Sequence, residues 1–203
     1  MNHQLLLDNF KSFVNLTPEE EELVLQHTIE RHFKRGNFLN SEGEVNRFTN
    51  FITKGSARVY YIEPNGHEHV VQLGISNWWV GDFPSFITQT KASMYTEALE
   101  ATEVISISHD QLQILYETVP KLERFFRLLI QKAYAAFHKR VLETLSMDAE
   151  QRYIAFRNTY PEMDLQISQN SPKTRLLTNT LRENPQFIGS QMPQLQMVCI
   201  KPR

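Results

Sequence analysis

The chain has 203 residues, of which 41% are hydrophobic and 22% charged, with a formal net charge of −2. That balance excludes a largely disordered chain and gives no global attraction to nucleic acid or to an anionic membrane, so any DNA contact needs a local basic surface. Cys199 is the only cysteine, which removes any internal disulfide framework and fits a reducing compartment.

Residues 1–13 lack a basic run ahead of a long apolar stretch, and no segment approaches the roughly 18 apolar residues of a spanning helix. The expectation is a cytoplasmic chain with no membrane partner. Apolar residues at 5, 6, 10, 13 and 14 predict a short amphipathic helix. Thr17-Pro18-Glu19-Glu20 then reads as a helix start. Thr17 can cap free N–H groups, Pro18 suits the first turn, and the acids complement the positive end of the helix dipole.

From residue 28 to 108 the texture changes to short β-branched or aromatic runs broken by Gly, Pro or Asn. Strands are predicted at 29–33, 38–41, 49–53, 57–62, 68–73, 95–98 and 104–108. Glu63-Pro64-Asn65-Gly66 marks a hairpin, because Pro64 presets the turn and Gly66 accepts positive φ. Many short strands within about 80 residues argue for a barrel or jelly roll.

Helical texture returns with 110–118. A long amphipathic helix follows over 121–146, with Leu122, Phe126, Leu129, Ala133, Phe137, Val141 and Leu145 on one stripe of about 38 Å. A further helix is predicted over 148–160. From residue 165 onward the pattern dissolves into an Asn, Gln and Pro-rich tail with a local charge of +4.

The order of these parts resembles the cyclic-AMP receptor protein and fumarate–nitrate regulator (Crp/Fnr) family. The resemblance rests on Lys34-Arg35-Gly36-Asn37-Phe38-Leu39 with Ser41-Glu42-Gly43-Glu44, and on Phe51-Ile52-Thr53-Lys54-Gly55-Ser56-Ala57-Arg58. It continues through Trp78-Trp79-Val80-Gly81-Asp82-Phe83, Glu97-Ala98-Leu99-Glu100, Val104-Ile105-Ser106-Ile107 and the Glu123–Phe126 start of the long helix.

What this implies is an α+β chain with an N-terminal jelly-roll, a cyclic-nucleotide-binding-like β-roll with flanking helices, over 1–118. A dimerisation helix would follow over 119–147. The remaining helical and irregular segment, 148–203, stands where the family has its helix-turn-helix DNA reader. The implied role is a transcriptional regulator, not an enzyme, with a second copy, DNA and a small ligand as partners.

In the family a short helix between two late strands cradles a phosphate, an acid after a Gly takes ribose, and an Arg-Ser pair takes phosphate. Here Gly81 and Asp82 match the first position. The Arg position falls on Ala92 and its neighbour is Ser93. Without the guanidinium a buried cyclic phosphate lacks its counter-charge. The expectation is therefore a ligand other than a cyclic nucleotide, or none, with Gly81, Asp82, Phe83, Ser93 and Tyr95 as candidate contacts and no cofactor. Trp78, Trp79, Phe83 and Phe86 read as packing between roll and long helix, or alternatively as ligand contacts.

His67 and His69 share a strand face, but no further ligands follow, so no metal is assigned. For the long helix, pairing with a second copy is read through Phe126, Leu129, Ala133, Phe137 and Val141; packing on its own roll is the alternative. The tail offers only 173–184 as a proline-free helix, with Lys173, Arg175 and Arg182 available for phosphate. No credible recognition helix appears there. A shift of coding frame near 169–172, or a divergent tail, would each account for it.

Overall fold

The computed structural model describes residues 2–161. Two helices, α1 (His3–Lys11) and α2 (Pro18–Gln26), precede eight strands: β1 (Ile29–Phe33), β2 (Phe38–Asn40), β3 (Phe48–Lys54), β4 (Ser56–Ile62), β5 (Glu68–Ile75), β6 (Trp78–Val80), β7 (Tyr95–Ala98) and β8 (Thr102–Ser108). A short α3 (Phe83–Thr88) sits between β6 and β7, and α4 (His109–Thr118), α5 (Pro120–Ser146) and α6 (Ala149–Thr159) follow.

Local chemistry sets several boundaries. Thr17 accepts from Glu20 N while Glu20 accepts from Thr17 N, a reciprocal cap ahead of Pro18. In the β4–β5 hairpin, Glu63 N donates to His67 O and Gly66 takes φ of 85°. Asp148 caps α6 in the same reciprocal way, with Gln151.

The strands form two four-stranded antiparallel sheets, β1-β8-β3-β6 and β2-β7-β4-β5. Ile52, Val80 and Val104 of the first meet Leu39, Ala57, Val59 and Ala98 of the second in the core between them. Because side chains alternate along a strand, the other face of the first sheet presents Phe51, Trp79, Ile105 and Ile107. That face is covered by α1, α4 and the first turns of α5. The jelly roll with flanking helices is thus the α+β architecture read from the sequence.

Trp79 is the hub of the helical side. Its ring lies 5.1 Å from Phe126, 5.3 Å from Phe51, 6.1 Å from Phe10 and 6.2 Å from Phe125. Its Nε1 donates to Asn9 Oδ1 at 3.0 Å, and Asn9 Nδ2 donates to Asn77 Oδ1 at 2.8 Å. One buried amide of α1 therefore ties the indole to the β5–β6 turn. The start of α5 is held by an ion pair of 2.7 Å between Lys121 and Glu20, which lowers the Glu20 carboxyl below its usual value. Among the described residues, no helix is long and apolar enough to cross a membrane.

The sequence reading did not anticipate β6, a strand of only three residues between the positive-φ Asn77 and Gly81. It placed strand ends within one or two residues elsewhere, with β5 running on to Ile75.

Gly55 joins β3 to β4 at φ of 88°, where a Cβ would lie 2.6 Å from the Ala101 carbonyl oxygen and 2.9 Å from Thr102 Cα. Both the backbone conformation and the backbone contact exclude a side chain. Gly55→Ala is expected to destabilise the chain by about 1–3 kcal/mol, read as a lower urea midpoint. An unchanged midpoint would show that this turn relaxes freely.

Candidate functional site

The segment from Gly81 to Ser93 wraps around one buried carboxylate. Gly81 has φ of 148°, a backbone conformation that favours glycine at the turn out of β6. Asp82 follows as the N-cap of α3, only 1% exposed. Its Oδ1 accepts from Ser85 N at 3.0 Å and its Oδ2 from Ser93 N at 3.2 Å. A carboxylate at a helix start is the arrangement that best satisfies free N–H groups.

The linker between β2 and β3 fastens this loop from the other side. Asn46 Nδ2 donates to Asp82 O at 3.0 Å, and Asn46 N donates to Ser85 Oγ at 3.0 Å. Gly43 N donates to Ala92 O and Ala92 N to Glu44 O, with a bridge between Val45 and Lys91. Ala92 is 4% exposed and brings no charge. The backbone N–H groups that an anion would use are thus engaged by the chain's own acid.

Four of the five candidate ligand residues come together here: Gly81, Asp82 and Ser93 directly, and Phe83 beside them. Phe83 and Phe86 turn toward the helical core, and the Phe86 ring lies 5.7 Å from His109. Tyr95 is separated from them. Thr96 and Ala98 are fully buried, so alternation places Tyr95 and Glu97 on the opposite face of the second sheet. There Tyr95 stacks on Tyr60 at 5.5 Å, with Phe38 5.6 Å away. On that same face Arg58 pairs with Glu68 and Glu97 at 2.7 Å each, and burial pushes the Tyr60 hydroxyl up to about 12.

Trp79 serves as packing, as the first of the two readings had it. Trp78 is also buried, against Leu73, Ile75 and the Tyr160 ring at 5.8 Å. His69 pairs with Glu63 at 2.7 Å. No cluster of three or more His, Cys, Asp or Glu suited to a metal occurs among the described residues.

The long helix divides in two. Phe126 is 3% exposed and Leu129 fully buried, and both sit in the core of their own chain with Leu122 and Phe125. The packing of this first part is on its own roll. Ala133 lies at the edge of that core. Beyond it the chain exposes Tyr134, Phe137, Val141, Leu142 and Leu145, with Ile130 leading into the row. Lys173, Arg175 and Arg182 lie outside the described residues, as do the tail's frame-shift and divergence readings.

Asn46, with no sequence signal beyond its place in a polar linker, was missed in reading the site. The acid's capping role was readable in principle, since Asp82 precedes a Pro at the second helical position.

Residues 30–119 match the family of the cyclic nucleotide-binding domain. The chain is 29% identical over 155 residues to the anaerobic regulatory protein of Haemophilus influenzae, a match covering 70% of this chain and 56% of that protein. It therefore spans little more than half the length of that curated relative. In fold it is similar to the c-di-GMP responsive global regulator CLP of Xanthomonas campestris, with a TM-score of 0.57 at 19% identity, over 68% of this chain and 70% of that one. It is similar also to the sensor domain of the transcriptional regulator DNR from Pseudomonas aeruginosa, with a TM-score of 0.54 at 17% identity, over 70% and 91%. The domain match across the roll and the fold shared with the two solved structures agree with the architecture: residues 30–119 form a cyclic nucleotide-binding-type domain.

Proposed function

We propose that the chain is a Crp/Fnr-type transcriptional regulator that acts as a homodimer in the cytoplasm and senses a small molecule other than a cyclic nucleotide through its roll. The observation that carries this reading is the division of α5. Its first turns are built into the roll, while Ile130, Tyr134, Phe137, Val141 and Leu145 recur at spacings of three and four on the exposed remainder. Such a seam is covered most simply by the same seam of a second copy, which the two-fold symmetry of a homodimer supplies. Phe137, Val141 and Ala133 from the sequence reading belong to this surface, whereas Phe126 and Leu129 support it from within.

The self-satisfied carboxylate argues against a cyclic nucleotide. Asp82 is already engaged by Ser85 N and Ser93 N, and Ala92 stands where a phosphate needs a guanidinium. A second reading follows from the tail. The sequence from residue 165 shows no pattern of two amphipathic helices around a tight turn, which favours a sensing or protein-interaction module without DNA binding. A gel shift on promoter DNA separates the two, with retardation supporting the regulator.

Phe137→Glu places a charge in the seam and is expected to give monomers by light scattering, with the thermal unfolding of the roll unchanged. Persistent dimers would move the interface elsewhere. Cyclic AMP and cyclic GMP are expected to give no saturable heat with the purified chain in calorimetry, and micromolar binding would refute the assignment of the cradle. Asp82→Ala should cost about 1–2 kcal/mol through the lost helix cap, measured by denaturant unfolding. No loss would mean that the carboxylate is free for a ligand.

A further inference from the structure

The roll has another recess, where β1 forms the outer edge of the first sheet. In register, Arg31 of β1 lies opposite Val104 of β8, and Val104 belongs to the core between the sheets. Cross-strand partners share a face, so Arg31 and Phe33 turn inward, and Phe33 packs against that core. The sheets leave a cavity of about 430 Å³ at this edge, whose lining includes Arg31, Leu39, Asn40, Glu44, Arg47 and Phe48.

A guanidinium partly withdrawn from water ordinarily finds a carboxylate, as Arg58 does with Glu68 and Glu97. Arg31 instead lies over two rings, 4.8 Å from the centroid of Phe33 and 4.7 Å from that of Phe48. Rings attract the cation through their faces but accept no hydrogen bond in its plane. Nη1 of Arg31 is buried and has no hydrogen-bond partner. Desolvation lowers the group below its ordinary pKa, yet an arginine starts far enough above neutrality to stay charged.

Asn40 lines the same cavity and is 8% exposed. Its Nδ2 donates to Met94 O at 3.1 Å, while its Oδ1 is buried without a partner. A desolvated cationic donor and a desolvated neutral acceptor therefore line one recess, and each carries an unmade hydrogen bond whose cost falls on the chain alone. Arg47 adds a second cation against the single acid Glu44, so the lining is net positive.

We infer that this recess binds a small carboxylate bearing a hydroxyl or amino donor. The carboxylate takes the edge of the Arg31 guanidinium, the donor is accepted by Asn40 Oδ1, and the apolar remainder lies on Leu39 and Phe48. The planar edge suits a planar carboxylate, and the two rings hold it in orientation. The recess adjoins the Asp82 loop through Asn46, which lines it, but it does not use that loop's N–H groups, which Asp82 already takes. It rests on the reading of the roll as a sensor, and supplies that sensor's ligand class.

The test is calorimetry on the full chain with glycolate, lactate, mandelate and alanine, set against lactamide and propionate. Saturable binding of at least one of the first four is expected, with lactamide silent and propionate weaker than lactate. Arg31→Met should weaken binding by at least roughly tenfold, and Arg31→Lys by less, with melting curves recorded for both. No saturable heat from any hydroxy- or amino-carboxylate, lactamide binding as well as lactate, or a folded Arg31→Met that binds like the wild type would each overturn the site. The wild-type comparison of lactate with lactamide decides even if Arg31→Met does not fold. Binding here needs neither dimer nor DNA, so carboxylate binding by a chain that retards no promoter would sink the regulator reading and leave the site intact.

Discussion

The helical half of the molecule depends on one buried indole. Trp79 stands where the first sheet, α1 and the base of α5 converge, and its buried N–H has a partner there. Asn9 supplies it, and is itself 3% exposed on the buried face of α1. The amide then spends its own donors on Asn77, the positive-φ residue that turns β5 into β6. Three segments distant in sequence are fixed by one polar relay inside an aromatic cluster. The directional hydrogen bonds of the relay and the edge-to-face ring contacts together fix how α1 sits on the cluster.

The same logic runs through the loop that faces α3. Asp82, Ser85, Asn46 and Ser93 satisfy one another, so a loop that a charged ligand could have organised is organised by the chain itself. The position that the resemblance assigns to a guanidinium holds the buried Ala92, and the carboxylate at 82 is compensated by backbone N–H groups instead. Arg31 Nη1 and Asn40 Oδ1, both buried without a partner, line a recess that shares Asn46 with this loop.

What the sequence revealed was what neighbouring residues decide. The Thr17 cap, the Pro64–Gly66 turn and the spans of β3 and β4 follow from interactions within a few residues, and each emerged nearly where expected. β6 escaped because three residues give too short a span for alternation to register. The stripe of α5 was visible as one seam, but periodicity reports only that a face is apolar. Which half meets the roll is fixed by where α5 leaves Trp79 and Phe10 behind. The role of Asp82 was half legible. Its position before Phe83-Pro84 marked a helix start, while the bond to Ser93 required knowing how the loop closes. Arg31 gave no sequence signal, since its depth comes from pairing with β8 across more than 70 residues.

The division of α5 also has a mechanical side. The segment anchored as far as Leu129 and the segment beyond it form one unbroken α-helix of 27 residues. An α-helix is stiff over this length, so its far end cannot move independently of its root. Leu145 lies about 24 Å past Leu129, and a tilt of roughly 5° at the root swings it by about 2 Å. A repacking around Trp79 too small to disturb the roll would thus arrive at the far tip enlarged, as a crowbar converts a slight push near its pivot into travel at its end.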